Sequence, residues 1–444
     1  MLDLIIRNAR LPGAIVDDQG RVDEGSRDGL TDIGVKDGNI VELRPELAEQ
    51  AGEEIDVEGY LVSPPFVDPH FHMDATLSLG IPRLNVSGTL LEGIALWGEL
   101  KSQLTHEAVK ERALRYCDLA VSQGLLAIRT HVDICDDRLL AVEALLEVQK
   151  QLKGTIDLQL VAFPQDGLYR SPNAGANLVR ALDLGVDVVG GIPHFERTMA
   201  DGARSLTQLC QIAAERGLPV DIHCDETDDP QSRHIETLAY ETTRLGLGDR
   251  VVGSHCTSMH SFDNYYVTKL MPLIAESGMQ IVPNPLINIT LQGRSDTYPK
   301  RRGLTRVKEL RAAGVNVGLG QDCCMDPWYP LGSADMLEVA HMAIHALPMT
   351  SREEMRWAFD AVTINSTRVM GLPDSSLRVG GPATFVILQA HDPIEAVRMK
   401  AQRLYVFRDG KVLAKTPAKE AELFLEGRPA AINPAHYAPP TTFN

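Results

Sequence analysis

Two histidines one residue apart, His70 and His72, lie in the segment LVSPPFVDPHFHMD, residues 61–74. The apolar run before them predicts a β-strand, in which alternate side chains point to the same side. Both imidazoles can therefore reach one metal ion, while Phe71 faces away. A pair this close occurs by chance in many proteins, so a metal site is indicated only if further ligands are found elsewhere in the chain.

Three other apolar runs also end in residues that can bind a metal or move a proton. They end in His223, His255 and Asp322. Nitrogen and oxygen donors of this kind suit Zn²⁺ or Fe²⁺, and such an ion activates water by lowering its pKa to near neutrality. Glu226, three residues after His223, has a carboxyl group that could carry a proton across a substrate. We expect Asp322 to bind the metal and to take part in catalysis by accepting a hydrogen bond from the activated water. We expect His255 to polarise or steady that water.

Eight apolar runs, most of them followed by a helical pattern, make up the middle of the chain. The stretches between them, such as 105–124 and 137–154, place apolar residues three and four apart and end at glycine, which is typical of amphipathic helices. This alternation predicts a TIM-like (β/α)₈ barrel, in which functional groups lie at the C-terminal ends of the strands. The runs are 62–72, 125–133, 157–165, 186–195, 219–226, 250–256, 279–285 and 315–322.

Strand-like runs at the two ends of the chain predict a second, smaller unit. Both ends contain alternating apolar runs joined by Asp-Gly turns, at Asp37-Gly38 and Asp409-Gly410, and Asp-Gly is a strong hairpin signal. We therefore expect an α/β protein in which the barrel carries a small β-sandwich domain built from both chain termini. The expected parts are the small β domain from 1–62 and 376–420, the barrel from 63–375, and a C-terminal extension from 421–444.

The amino-acid composition limits the classes of molecule that the protein is expected to bind. The chain has 444 residues, with 43 Lys and Arg against 60 Asp and Glu, for a net charge of −17. That balance argues against nucleic acid and favours a small neutral substrate. Because the chain has no run of about 18 apolar residues and no typical signal peptide, we expect a soluble cytoplasmic protein with no membrane partner. Seven cysteines without disulfide-framework spacing fit a reducing compartment.

Longer segments resemble the amidohydrolase superfamily and, within it, the cytosine deaminases. They are VSPPFVDPHFHMD (62–74), VAFPQDG (161–167), GGIPHFE (190–196), DIHCDETDDPQSR (221–233), GSHCTSMHSF (253–262), NPLINITLQGRSDTYPKRRGLTRVKEL (284–310) and DPWYPLGSADML (326–337). The resemblance implies a hydrolase that acts on a free nucleobase, uses one divalent metal ion per subunit, Zn or Fe(II), and forms a homo-oligomer.

The resemblance also implies a role for particular residues. The metal ligands would be His70, His72, His223 and Asp322, with Glu226 as proton shuttle, His255 beside the activated water, Gln165 against the carbonyl edge of a pyrimidine, and Leu91 and Trp328 in the ring pocket. The chemistry of the Gln165 side chain agrees with the role that the resemblance implies, because an amide can donate to a carbonyl and accept from a ring nitrogen at the same time.

One position departs from the closest type of cytosine deaminase, which has a second aspartate directly after the metal-binding one. Here Asp322 is followed by Cys323. In the family that aspartate lies on the C5 side of the pyrimidine, so a thiol would make this wall smaller, neutral and apolar. A C5 methyl group would then fit, with roughly 0.8 kcal/mol gained per buried carbon and no desolvated anion beside it. We expect 5-methylcytosine, deaminated to thymine, or cytosine, deaminated to uracil, as substrate.

Other functions stay open at this point. Isocytosine, isoguanine or a triazine would share the amino-heterocycle edge and differ only against the pocket wall. A cyclic amide hydrolase with two metals would need a carboxylated lysine at the fourth strand, where this chain has His194 and no lysine. A catalytically silent scaffold would be expected to lack a ligand or the proton carrier. Zinc deaminases that edit nucleic acids use a C-x-x-C motif, which this sequence does not contain.

Overall fold

The computed structural model describes residues 1–13 and 29–436. The strands near the N-terminus are β1 (Leu2–Ala9), β2 (Thr31–Lys36), β3 (Asn39–Arg44), β4 (Ala51–Asp56) and β5 (Leu61–Ser63). Those of the central sheet are β6 (Phe66–Phe71), β7 (Leu125–Asp133), β8 (Asp157–Phe163), β9 (Val188–Gly191), β10 (Val220–Cys224), β11 (Val251–His255) and β12 (Gln280–Val282). Those near the C-terminus are β13 (Phe385–Leu388), β14 (Arg403–Arg408), β15 (Lys411–Lys415), β16 (Ala421–Glu422) and β17 (Ala431–Ile432).

The helices alternate with the central strands and continue after them. Those between the central strands are α1 (Leu90–Lys101), α2 (His106–Ser122), α3 (Leu140–Gln151), α4 (Ala174–Leu184), α5 (Met199–Arg216), α6 (His234–Leu245) and α7 (Asn264–Ser277). Those that follow β12 are α8 (Pro285–Leu291), α9 (Val307–Ala312), α10 (Met336–Ala346), α11 (Arg352–Asp360), α12 (Ile364–Val369) and α13 (Pro393–Met399). The helices predicted over 105–124 and 137–154 are confirmed as α2 and α3.

Local sequence signals explain where these helices begin and end. The Thr105 side chain accepts from the N–H of Ala108 at the start of α2, because the first turn of a helix leaves its N–H groups without intrahelical partners. At the ends of α4 and α5, Gly185 and Gly217 adopt left-handed conformations, which glycine tolerates best.

The central sheet is parallel, and its strands lie side by side in chain order from β6 to β12. Every residue of β7, β10 and β11 is buried. Strands covered on both faces are typical of parallel sheets with helices outside. The predicted barrel architecture is confirmed.

Residues 316–322 close the barrel at the position of the eighth strand. Val317 bridges to Ile281 of β12, and Asp322 bridges to Phe71 of β6. Asp322 donates its N–H to the carbonyl of His70 at 2.8 Å, which fixes this residue against the end of β6. The predicted run 315–322 lies in the expected place, but it pairs through isolated bridges rather than a continuous ladder.

The small domain is a sandwich of two four-stranded sheets, as predicted from the two chain ends. One sheet has the order β3-β2-β1-β4 and the other the order β15-β14-β13-β5. Their facing side chains, including Ile6, Ile33, Phe385 and Phe407, form a shared core. Both predicted Asp-Gly turns are present, with φ values of 50° and 76° at Asp37-Gly38 and of 49° and 74° at Asp409-Gly410.

The described part of the C-terminal extension packs on this sandwich. Asn433 donates to the Tyr60 hydroxyl and accepts from the Gln389 amide, and Ala435 joins the sandwich core. Among the residues that the structure describes, no helix is both long and apolar enough to cross a membrane.

Candidate active site

Four side chains meet at the C-terminal ends of the barrel strands. His70 lies in β6, and His72 directly follows that strand. His223 lies in β10, and Asp322 ends the segment 316–322 that closes the barrel. The Nε2 atoms of His72 and His223 are 3.0 Å apart. Asp322 Oδ1 lies 3.2 Å from His72 Nε2 and 3.5 Å from His70 Nε2. The structure thus brings together the four residues expected to bind a metal.

The free polar atoms of this group fit a divalent cation. Both ring nitrogens of His70, Nδ1 of His223 and Oδ1 of Asp322 are buried without a hydrogen-bond partner, whereas buried polar atoms are nearly always paired. Burial by itself lowers the pKa of His70, but the Asp221 and Asp322 carboxylates outweigh it and raise the pKa to about 9. The carboxylates therefore favour a positive charge here. Imidazole and carboxylate ligands suit Zn²⁺ or Fe²⁺.

One more histidine, His131 of β7, lies against this group and was missed from the sequence. Together with His70, His72 and His223 it presents ring nitrogens that all lie within 4.8 Å of one another. Burial lowers the pKa of His131 to about 3, so the ring is neutral. Its Nε2 lies 3.5 Å from Asp221 Oδ1. The signal that could have found it was present, because His131 stands near the end of the second apolar run.

Asp221 connects the metal group to a buried polar layer of the barrel. Its Oδ2 accepts from Arg129 Nη1 at 3.1 Å, and its Oδ1 accepts from Ser254 Oγ at 2.7 Å. Arg129 also donates to Gln159 and to the carbonyl of Val369. Such outer partners orient the imidazoles of a metal site.

Glu226 lies just beyond β10 and is held by its neighbour Asp225. The buried Asp225 carboxylate accepts from His234 Nδ1 at 2.8 Å and from the N–H of Ile235 at 2.9 Å, which ties this turn to the start of α6. Burial, together with the negative charge of Asp322, raises the pKa of Glu226 well above its ordinary value. The raised pKa favours the protonated carboxyl group, so Glu226 can hold a proton for transfer, as general acid–base catalysis requires.

The proton of His255 can be assigned from its neighbours. The amide nitrogens of Asn284 and Asn288 lie 3.2 and 2.9 Å from Nδ1. An amide nitrogen only donates. The Asn284 nitrogen also lies 3.4 Å from Nε2 and does not distinguish the two ring nitrogens, but Asn288 contacts Nδ1 alone, so Nδ1 accepts and the ring proton is on Nε2. That nitrogen faces Asp322, with 3.9 Å between Nε2 and Oδ2. His255 is therefore a hydrogen-bond donor beside the metal group. The two asparagines that contact its ring were missed from the sequence, and Asn288 is the one that selects this tautomer.

A cavity opens over the metal group. Gln165 and Trp328, which the sequence placed near the substrate, both line it. Leu91 does not, which corrects the prediction: its side chain is 68 % exposed, and the preceding Leu90 faces the cavity instead. One residue along a helix turns the side chain by about 100°, enough to change its face. The lining residues are His72, Leu90, Gln165, Ile192, His223, Glu226, Ile287, Leu291, Asp322, Cys323 and Trp328.

The Cys323 side chain forms a neutral part of this wall. It is only 3 % exposed. Burial, with the negative charges of Asp322 and Asp326, raises the pKa of the thiol well above its ordinary value. A protonated thiol in this position is small and uncharged, and a thiolate nucleophile or metal ligand is disfavoured because both require deprotonation.

Comparison with known proteins assigns the family. The model named Amidohydro_3, for the amidohydrolase family, matches residues 53–414, and the chain belongs to this family. It is a metal-dependent hydrolase that acts on C–N bonds. Among solved structures, the chain is similar to a 5-methylcytosine deaminase from Klebsiella pneumoniae liganded with 5-fluorocytosine. The identity is 42%, the TM-score is 0.88, and the match covers 94% of this chain and 98% of that one.

Curated relatives act on other nitrogen compounds. The N-isopropylammelide isopropyl amidohydrolase of Pseudomonas sp. (strain ADP) is 30% identical over 93% of this chain and 97% of its own length. The pterin deaminase of Rhizobium rhizogenes is 29% identical over 94% of this chain and 95% of its own length. Taken with the structural similarity, these relatives support deaminase activity for this chain.

Proposed function

We propose that this protein removes the amino group of a free cytosine-type base and releases ammonia, with 5-methylcytosine as the favoured substrate and thymine as the product. The observation that carries the proposal is the buried, protonated thiol of Cys323 in the cavity wall directly after Asp322. The 42% identity to the 5-methylcytosine deaminase of Klebsiella pneumoniae supports the same substrate.

The proposed reaction adds water to the ring carbon that carries the amino group and then breaks the C–N bond. An ion held by His70, His72, His223 and Asp322 would lower the pKa of water to near neutrality. Glu226 would carry one proton from this water to the ring nitrogen and then a second proton, from the hydroxyl group formed at that carbon, to the departing nitrogen. The C–N bond breaks, the nitrogen leaves as ammonia, and the hydroxyl oxygen becomes the carbonyl oxygen of the product. The Nε2–H of His255 donates a hydrogen bond to the attacking oxygen and holds it in place.

Gln165 supplies the recognition of the base. Its side chain is almost fully buried and lines the cavity. Among the residues that the structure describes, its amide makes no hydrogen bond with a protein group, so both donor and acceptor are available to a ligand. A cytosine-type base presents a carbonyl and a ring nitrogen side by side, which match this amide. A base that lacks the pair would leave a buried polar group without a partner.

Cys323 sets the preference at C5. A methyl group against the thiol would gain roughly 0.8 kcal/mol from burial. An aspartate at the same place would have to be desolvated by the methyl group, which costs several kcal/mol for a charge without a partner. The chain therefore favours a methylated base over an unmethylated one at this wall.

The test is ammonia release from cytosine, 5-methylcytosine and isocytosine by the metal-loaded protein and its Cys323→Asp variant. We expect the wild type to favour 5-methylcytosine. In Cys323→Asp the ratio of kcat/KM for 5-methylcytosine to that for cytosine should shift toward cytosine by roughly ten- to a hundredfold, which corresponds to about 1.4–2.8 kcal/mol. Cys323→Ser, which keeps a small neutral side chain, serves as the matched control and should keep most of the preference.

Two results would contradict the proposal. If the wild type turns over cytosine faster than 5-methylcytosine, the protein is still a cytosine deaminase, but Cys323 does not set a preference for the methylated base. Turnover of isocytosine alone, or of none of the three bases, would reject the substrate class and redirect the search to other amino-heterocycles.

A further inference from the structure

Lys101, at the end of α1, joins two carboxylates at the rim of the barrel. Its Nζ lies 2.6 Å from Asp133 Oδ2 and 2.7 Å from Asp166 Oδ2. Asp133 ends β7, and Asp166 follows β8 by three residues. One ammonium group therefore ties a helix to the ends of two neighbouring barrel strands. We call these three residues the Lys101 clasp.

The clasp stands directly behind the recognition side of the cavity. Asp166 is the residue after Gln165, whose amide faces the cavity. The helix that carries Lys101 also provides Leu90, which lines the cavity. Trp97 of the same helix donates from Nε1 to Asp133 Oδ2 at 2.7 Å, so the helix is anchored to Asp133 twice.

The same helix supports the aromatic part of the wall. Trp97 and Trp328 have ring centroids 6.1 Å apart. A Cβ on Gly93 would lie 2.2 Å from Trp328 Cδ1, so the helix backbone and the indole are in close contact. The position of α1 therefore decides where Trp328 stands, and the clasp is one of the contacts that set the position of α1.

The two carboxylates differ in how far they can move. The Asp133 side chain is 4 % exposed and the Asp166 side chain 40 % exposed. Burial by itself would lower the pKa of Lys101, but the two carboxylates outweigh it and raise the pKa above the ordinary value, so the amine stays charged. Without that charge the two anions would repel each other. We expect Asp166, the more exposed of the two, to turn toward solvent, which would loosen the adjoining backbone of Gln165.

We propose that Lys101 is a positioning residue for substrate recognition, which holds the Gln165 amide against the base by fixing Asp166 and holds α1 against the same cavity. The part of this proposal that concerns the base rests on the proposed function. The part that concerns the Gln165 segment is a property of the protein alone. The two parts can be tested by different measurements.

The first test measures the segment without any substrate. In Lys101→Met, hydrogen exchange in the segment 164–169, where every residue except Pro164 has an N–H, should become at least several-fold faster. The hydrogen bond of Asp166 N–H to Cys135 Sγ and that of Gly167 N–H to the carbonyl of Pro164 lose their support. The matched control is Lys110→Met on α2, where Lys110 pairs with the half-exposed Glu147 at 2.8 Å. Exchange in 164–169 should not change in that variant.

Asp166→Asn provides a milder change should Lys101→Met fail to fold. It leaves the pair between Lys101 and Asp133 in place and removes only the charge that fixes the Gln165 segment. Faster exchange in 164–169 is again expected. Unchanged exchange in 164–169 in every folded variant would overturn the proposal, whatever substrate the enzyme uses.

The second test is a double-mutant cycle on the base that the wild type turns over best. Lys101→Met should raise KM about tenfold with a much smaller change in kcat and no loss of metal, since a misplaced hydrogen-bonding group has an effect of about this size. In a Gln165→Ala background the same substitution should raise KM by a clearly smaller factor, limited to its action through α1, because the Gln165 amide that it positions is gone. Independent, multiplicative effects would refute the action through Gln165.

The outcomes separate the clasp from the proposed function. If the wild type releases no ammonia from any cytosine-type base but hydrogen exchange is faster in Lys101→Met, the proposed substrate is wrong and the positioning role of Lys101 is supported. A wild type that deaminates 5-methylcytosine, combined with unchanged exchange in 164–169, keeps the substrate and rejects the clasp.

Discussion

The metal group and the recognition wall of the same cavity are built in different ways. His223 and His255 lie on β10 and β11, each of which has a neighbouring strand on both sides. His70 lies on β6, which is held by β7 on one side and by the closing segment 316–322 on the other. The wall residues Gln165 and Trp328 lie outside the strands, and side-chain contacts hold them in place. The hydrogen bonds between strand backbones fix the positions of the reactive side chains, whereas a single substitution can change the side-chain contacts that position the wall. Different substrates can therefore be accommodated on one reactive centre.

The largest expected effect on activity comes from removing one of the four residues expected to bind the metal. Asp322→Asn removes the anion that lies closest to His72 and His70, so we expect loss of the bound divalent ion and activity at background. Metal content per subunit, measured by elemental analysis after dialysis, checks this directly. Full metal content with full activity would show that Asp322 is not a ligand.

Glu226→Gln should separate chemistry from metal binding. The amide keeps the shape of the side chain but carries no proton between water and nitrogen, so kcat should fall by roughly 10²- to 10⁴-fold. Metal content and KM should stay near the wild-type values. A kcat within a factor of about three of the wild type would assign the proton transfer to another group.

The smallest effect is expected at the wall, where two glycines of α1 form a matched pair. In Gly93→Ala the new methyl group would overlap Trp328, whereas a Cβ on Gly98 has nothing within 4 Å. Gly93→Ala should raise KM several-fold with metal content unchanged. Gly98→Ala should leave KM unchanged and raise the free energy of unfolding by up to about 1 kcal/mol, because alanine favours helix. Equal kinetics in the two variants would show that the packing of α1 on Trp328 does not shape the cavity.

Much of the fold could be predicted because it depends on patterns that repeat along the chain. Buried apolar runs alternating with amphipathic helices indicated the barrel, and two Asp-Gly turns indicated the sandwich hairpins. The same patterns placed His223 and His255 at strand ends, where the structure has them. The prediction that Leu91 lines the cavity was wrong by one residue, because the sequence does not fix which face of α1 turns toward the cavity.

The residues that the sequence did not reveal act through partners far away in the chain. Lys101 has no motif of its own, and its role depends on Asp133 and Asp166, which follow it by 32 and 65 residues. Asn284 and Asn288 matter only because α8 places them against His255. No local pattern records such a contact.

By itself the sequence determined which groups can do chemistry and on which kind of element they lie, since ligand types and the two-residue strand period are local properties. The tertiary structure decided how those groups meet. It brings the four expected metal ligands together, buries Glu226 deeply enough to raise its pKa, and turns Leu90 rather than Leu91 toward the cavity. Distances, burial and pKa shifts depend on residues brought together across the whole barrel, and packing alone sets them.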